Sequence, residues 1–402
     1  MKVNFEKYFS SRARAMRASE IRELLKLVEK SNIISLAGGL PAPELLPVRE
    51  LTDIVRGVVD SYGWRVLQYS PTKGVSIFLE ALKEFMKSHN VHLGPEDDVI
   101  ATTGSQEAIY LLARVLLDPG DIVVIEEPSY LTAIQVFRQY GVKFVAIPID
   151  DEGMITEKLE EELKRLRREG RTPKLVYTMP SCHNPAGVTM SYERRKHLLE
   201  LAESYDLLVI EDDPYSYIAF KPIGAPPLKS MDDSGRVIYV STFSKILSPG
   251  LRLGWVAASK QLISKLEVAK QAVDLHTSTL SQYIAAEALK RGIVDEIIEK
   301  AKRVYEAKCK AMLNALETYM PEGVRWTKPV GGLFVWSWLP KGISSRRLLE
   351  VALRKGVAFV PGDAFYPCGG GENTMRLNYS FPSIEEIWEG VKRLGDAVKE
   401  LL

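Results

Sequence analysis

"VIATTGSQEAIYLLARVLLDPGDIVVIEEPSYLTAIQVFRQYGVKFVAIPID", residues 99–150 of 402, decides the fold. "VIATT", "DIVVIEE" and "KFVAIPID" are short apolar runs, and "EAIYLLARVLL" and "LTAIQVFRQYG" between them carry apolar residues at helical spacing. The alternation continues. A charged helix near 155–169 precedes "KLVYTMPSCHNPAG", and the helix "YERRKHLLELAESY" precedes "LLVIEDDPY"; "RVIYVSTFSK" and "GWVAAS" follow. Strands alternating with crossover helices imply an α/β fold with a mainly parallel sheet covered on both faces. In such sheets functional groups collect beyond the carboxyl ends of the strands.

Either side of this block the pattern differs. "SEIRELLKLVEK" (19–30) places Ile21, Leu24, Leu25 and Val28 on one helical face behind a Ser19 cap. "LAGGLPAPELLP" (36–47) reads as an extended connector, and a helix is expected over about 75–88. The C-terminal third reads as a smaller α+β domain. It has a long helical stretch around 281–318, then "GGLFVWSWL", a helix near 345–355, "VAFVPGDAFY", "TMRLNYS" and a final helix.

Composition excludes several classes of function. With 46% hydrophobic and 26% charged residues and a net charge of +1, the chain is an ordinary globular one with no basic excess for nucleic acid or anionic membrane. Three scattered cysteines and no CxxC argue against a disulfide framework or a structural zinc site. Five histidines include no HExxH. No apolar run reaches membrane-spanning length and the N-terminus has no signal-like core, so the protein reads as cytoplasmic.

The strand ends carry the chemistry. In "VIYVSTFSKILSPGLRLGW" (237–255) Lys245 stands directly behind an apolar strand, and Arg252 follows seven residues later. Apolar surroundings lower a lysine's pKa and suit it to Schiff-base chemistry, for which pyridoxal phosphate is the common carbonyl partner. That cofactor needs a phosphate cup, an acid at its ring nitrogen, and packing for its ring. "TTGSQEA" sets Gly104, Ser105 and Gln106 at a helix N-terminus that favours an anion; it equally fits a plain capped helix. Thr242, Ser244 and Arg252 lie on the lysine's own turn and complete such a cup, although Arg252 also fits a surface position. "EDD" (211–213) ends a strand with three acids, which fit either a ring-nitrogen partner, an acidic turn or a magnesium site. Tyr130 offers a stacking face or a core aromatic; Asn184 and Tyr215 offer donors to the phenolate oxygen, or turn chemistry. Arg376, in an otherwise mostly apolar strand, needs an anion: a substrate carboxylate or a structural ion pair.

"SCHNPAG", "EDDPY", "STFSKILSPGLRLGW" and "MRLNYS", in this order, resemble the fold-type I, class I/II pyridoxal-phosphate-dependent aminotransferases. "ISLAGGLPAPELLP", "LQYSPTKG" and "ATTGSQEAI" resemble the subgroup acting on 2-aminoadipate, kynurenine and aromatic amino acids. The resemblance implies a seven-stranded-type sheet in a large cofactor-binding domain (46–285) and a small domain (286–402). An N-terminal helix and arm (1–45) would pack with the small domain and cover the substrate. It implies a homodimer with shared active sites, amino-acid and 2-oxo-acid substrates with 2-oxoglutarate as acceptor, and ping-pong transamination. Lys245 would be the Schiff-base lysine, Asp212 the ring-nitrogen partner, Asn184 and Tyr215 the phenolate ligands and Tyr130 the stacking ring. Ser105, Gln106, Thr242, Ser244 and Arg252 would hold the phosphate, with Tyr69 reaching the neighbouring subunit's. Arg376, with Gly39, Asn184 and Arg22, would bind substrate. His183 receives no role beyond that of a satisfied turn histidine.

Three rivals are open to test. A β-lyase or decarboxylase would use the same scaffold. A cofactor-sensing regulator would need an added DNA-binding module, for which the resemblance, starting within the first 20 residues, leaves no room. A nucleotide-binding enzyme would need a GxGxxG or GxxxxGK[ST] after a strand, and neither occurs.

Overall fold

The structure, a computed structural model, describes residues 3–16 and 33–402. The helix expected over 19–30, and with it Arg22, lies outside the described residues. Fourteen strands are named in chain order: β1 (Ile34–Ser35), β2 (Asp97–Thr102), β3 (Ile122–Glu127), β4 (Lys143–Asp150), β5 (Gly153–Met154), β6 (Leu175–Thr178), β7 (Leu208–Asp212), β8 (Val237–Thr242), β9 (Gly254–Ser259), β10 (Arg325–Trp326), β11 (Phe334–Trp338), β12 (Val357–Ala358), β13 (Val360–Pro361) and β14 (Thr374–Asn378).

The large sheet has the order β2-β9-β8-β7-β6-β3-β4-β5. From β8 to β4 all neighbours are parallel. β9 runs antiparallel to both β8 and β2, and the two-residue β5 is a hairpin extension of β4. Seven strands therefore form the sheet proper. Its central strands are buried along their whole length, which is why they read as continuous apolar runs rather than alternating ones. Alternate residues feed two separate cores: Val123, Ile125, Tyr177 and Ile210 on one face, Val124, Val176 and Val209 on the other.

Strand order reverses between β3 and β6. The chain steps outward from β3 to β4, then crosses back to β6, β7 and β8. Crossovers leave on opposite sides of that point, so a crevice opens at the carboxyl ends of β3 and β6.

A second, antiparallel sheet has the order β10-β11-β14-β13. The extended arm expected over 36–47 is extended apart from one 3-10 turn, Pro43–Leu45, and it is tied to the C-terminal part of the chain. β1 pairs with β12, the Asn378 N–H donates to the Leu36 carbonyl (2.8 Å), and Ser380 Oγ donates to the Leu40 carbonyl (2.6 Å). The helical stretch expected around 281–318 is two helices, Thr279–Lys290 and Ile293–Tyr319, separated at Gly292, whose φ of +73° no continuing helix adopts. The second helix holds the arm from behind: Tyr305 Oη accepts from the Ala42 N–H, and Lys308 pairs with Glu44. No helix among the described residues is long and apolar enough to cross a membrane.

Candidate active site

A cavity of about 300 Å³ lies at the carboxyl ends of the parallel strands. Its wall brings together Gly39, Ser105, Gln106, Tyr130, Asn184, Asp212, Tyr215, Thr242, Ser244, Lys245, Arg252 and Arg376. Residues separated by over three hundred positions meet at one point because the strand ends of the large sheet face one crevice, while the arm, tied to β14, brings Gly39 and Arg376 to it. Gly104 abuts the wall through Arg252. Tyr69 does not join them; it is 77% exposed, edge-on to His276. The sequence reading missed the apolar lining of Leu131, Met179, Pro214 and Phe334, which carries no polar signal to find it by.

The anion-binding turn is built from close backbone approach. Gly104 (φ +75°) precedes the helix Ser105–Leu116, and a Cβ on it would lie 2.6 Å from Arg252 Nη2. Arg252 is itself left-handed (φ +49°), which swings its guanidinium back over that helix N-terminus. At Gly254 a Cβ would come within 2.8 Å of Ser105 N, so β9 presses directly on the turn. Arg252 donates to Ser244 Oγ (3.5 Å) and the Pro249 carbonyl (3.3 Å), and no carboxylate pairs with it among the described residues. Behind the turn, buried Lys270 bonds Glu107 and Asp274, while Glu107 accepts from the Thr103 N–H (2.5 Å). This brace had no sequence signal, because its members are scattered over 103–274.

The three consecutive acids separate by their partners. Glu211 accepts from the N–H groups of Leu228 and Lys229, one on each oxygen (2.8 Å). Asp213 accepts from the Ser216 N–H and hydroxyl and from Tyr239 Oη. Among the described residues Asp212 accepts only from Tyr177 Oη, on Oδ2 at 2.6 Å, and its buried Oδ1 has no partner. Burial, with Asp213 adding like charge, pushes the Asp212 carboxyl up to about 7 against the Tyr177 hydrogen bond. One acid of the three is left needing a donor, and it is the one in the cavity.

Arg376 is 2% exposed, yet faces no carboxylate. It donates to Asn184 Oδ1 (2.9 Å) and the Ala37 carbonyl (2.8 Å), lies over Phe334 (4.1 Å to the centroid), and leaves Nε without a partner among the described residues. A structural ion pair is thereby excluded among the described residues. A buried guanidinium without a counterion is costly, so the site is built for an incoming anion. Burial holds Arg376 down to about 10.

Lys245 donates to the Gly39 carbonyl (2.7 Å). Burial first, then Arg376 and Arg252, lower its ammonium to about 8 from 10.5. The unfolded chain therefore binds more protons between pH 8 and 10.5, and the cofactor-stripped protein gains stability as pH rises through that window. Only the free amine attacks a carbonyl. The rate of pyridoxal phosphate capture by stripped protein is expected to rise with pH to an inflection near 8, measured by stopped-flow absorbance. An inflection near 10.5 contradicts the geometry described here.

His183 is buried between strand ends. Its Nδ1 accepts from the Ala186 N–H (3.3 Å), and Nε2 lies 3.1 Å from Glu126, which also accepts from Thr178 Oγ1 and the Met179 N–H. It shapes the 181–187 turn that presents Asn184.

These residues fit pyridoxal phosphate. An orphaned carboxylate oxygen matches the ring nitrogen, a lowered amine matches the aldehyde, and a turn closed to any side chain matches the phosphate. Comparisons with known proteins agree. Residues 54–394 match the family model for aminotransferase class I and II. The chain is 50% identical over 398 residues to an aromatic-amino-acid aminotransferase 1 of Thermococcus litoralis, covering 99% of this chain and 95% of that one. It is 43% identical over 403 residues to a 2-aminoadipate transaminase of Thermus thermophilus, covering 100% and 98%. The structure superposes with a TM-score of 0.97 on the kynurenine aminotransferase of Pyrococcus horikoshii in complex with pyridoxamine phosphate, at 48% identity over 99% and 98% of the two chains. With the lysine, the single unsatisfied acid and the counterion-free arginine in one cavity, this chain belongs to the class I and II aminotransferases and is a pyridoxal-phosphate-dependent transaminase of amino acids.

Proposed function

We propose that the enzyme moves the amino group of an aromatic, 2-aminoadipate or other hydrophobic L-amino acid to 2-oxoglutarate. The observation that carries this is Lys245 standing in one cavity with Arg252, Arg376 and Asp212, with apolar Leu131, Met179 and Phe334 completing the wall. The apolar part of the wall suits an aromatic or other hydrophobic side chain.

Bound pyridoxal phosphate supplies the carbonyl and the electron-accepting ring. The remaining work falls to the chain. Ser105, Gln106, Thr242, Ser244 and Arg252 hold the phosphate at the helix N-terminus. Asp212 holds a proton on the ring nitrogen, Asn184 and Tyr215 donate to the phenolate oxygen, and Tyr130 packs the ring. Arg376 grips the substrate carboxylate with Gly39 beside it, and Arg22 is a further proposed substrate contact. Lys245 Nζ is the base that takes the proton from substrate Cα. Tests of donors from aromatic to acidic, with 2-oxoglutarate as acceptor, rank the substrates by kcat/KM. Formation of pyruvate and ammonia with no acceptor present overturns the reading in favour of a lyase.

Tyr69 lies in a run with Trp64 (70% exposed) and Leu67, an exposed apolar patch of the kind that marks a protein interface. We assign this face to a homodimer in which Tyr69 reaches the neighbouring subunit's phosphate. Residues 46–285 would form the large unit and 286–402 the small one. Three free thiols suit a reducing cytoplasm. The double variant Trp64→Glu/Leu67→Glu is expected to sediment as a single chain and to bind cofactor more weakly. A wild-type protein that already sediments as a single chain overturns the assignment.

A further inference from the structure

β6, β7 and β8 run parallel, with Tyr177 opposite Ile210 and Tyr239 opposite Glu211. Register partners on parallel strands share a face, so Tyr177 shares one with Ile210 and Asp212, and Tyr239 shares the other with Glu211 and Asp213. Two residues along a strand is about 6.6 Å, within a tyrosine's reach. Each tyrosine makes that reach. Tyr177 Oη donates to Asp212 Oδ2 (2.6 Å), and Tyr239 Oη donates to Asp213 Oδ2 (3.0 Å). The two faces then part ways. Asp213 is saturated by Ser216, whereas Asp212 keeps Oδ1 buried at the cavity wall with no partner among the described residues. Tyr177 itself is fully buried, and Phe137 packs edge-on against it (5.5 Å between centroids), which fixes the direction of its hydroxyl.

We propose that Tyr177 is a positioning residue for the cofactor's ring nitrogen: its hydroxyl occupies Asp212 Oδ2, holds that carboxyl ionised, and leaves Oδ1 as the one acceptor for the ring N–H. The inference rests on Asp212 being the ring-nitrogen partner. Burial and Asp213 both favour the neutral acid, and the tyrosine hydrogen bond is the counterweight. Remove the hydroxyl and Asp212 offers a neutral hydrogen bond in place of a charge-assisted one, about half as strong. Phenylalanine keeps the packing against Phe137, so Tyr177→Phe isolates the hydroxyl.

The test uses full-length protein stripped of cofactor and reloaded with pyridoxal phosphate or with its 1-deaza analogue, which carries C–H in place of the ring nitrogen. Both keep the aldehyde and phosphate, so the ratio of the two dissociation constants reads the ring-nitrogen contact alone. Tyr177→Phe is expected to reduce the wild-type preference for pyridoxal phosphate by about 3–10-fold while leaving affinity for the analogue within about 2-fold. Equal weakening toward both ligands, or no change toward either, overturns the proposal by showing a structural role or none. Asp212→Asn separates the two levels of inference. If it leaves the preference unchanged, the assignment of Asp212 has failed. If it abolishes the preference while Tyr177→Phe does not alter it, only the role of Tyr177 has failed. Thermal unfolding of each stripped variant confirms that both fold.

Discussion

Lys245→Ala is expected to lose turnover by about 10⁴-fold or more, the upper range for removing a positioned general base. The same variant loses the visible absorbance of covalently held cofactor, because no other amine faces the cavity among the residues lining it. Phosphate and ring contacts stay in place, so cofactor binding should weaken without vanishing. The two readouts together distinguish loss of chemistry from loss of fold. A purified variant that keeps both its absorbance and its turnover removes Lys245 from the mechanism. The lysine's environment makes the size of the effect understandable. Burial first, then two neighbouring cations that have no carboxylate partners among the described residues, lower its proton affinity to the range where a base at neutral pH works best.

Arg376→Lys is expected to raise KM far more than it lowers kcat, with kcat/KM falling by about 10²-fold, equivalent to about 3 kcal/mol for charge-assisted bonds lost. Lysine keeps the charge but lacks the planar fork that meets a carboxylate with two parallel bonds. It also cannot bridge Asn184 and the Ala37 carbonyl while reaching a substrate. The control is a primary amine matching the substrate but without its carboxylate. For that compound wild type and variant should converge. A variant that discriminates between acid and amine as well as wild type does sinks the assignment. Arg376→Gln adds an independent check. Removing one of the cations that depress Lys245 should move the capture inflection above 8.

How far the residues alone reveal the molecule depends on the kind of signal. The parallel sheet was legible because β6, β7 and β8 are buried on both faces and so appear as unbroken apolar runs. The charged residues were legible because a charge directly behind or inside such a run has no solvent to face: Lys245, the acids at 211–213 and Arg376 all stood out this way. Among Glu211, Asp212 and Asp213 only the family resemblance chose Asp212; run and spacing could not, since their difference lies in partners from 177, 216, 228, 229 and 239. The break at Gly292 was hidden inside one helical pattern, because a left-handed glycine leaves hydrophobic spacing on both sides intact. Tyr69 was singled out only through the family resemblance, and in one chain it stands apart from the cavity. The brace behind the anion turn and the Tyr177 contact are products of register, which no local pattern encodes.

The arm has a consequence for how the enzyme comes into being. Arg376 Nη2 bonds the Ala37 carbonyl across 339 residues of sequence, and β14 lies near the end of the chain. At 5–20 residues per second of synthesis, roughly 20–70 s separate the making of the two halves of that contact. A nascent chain can carry Lys245, Asp212 and the anion turn while the carboxylate grip does not yet exist. On the proposed roles, selection of a substrate by its carboxylate is therefore an event of the finished polypeptide, and a prematurely terminated product lacking the last thirty residues would hold a reactive amine without Arg376.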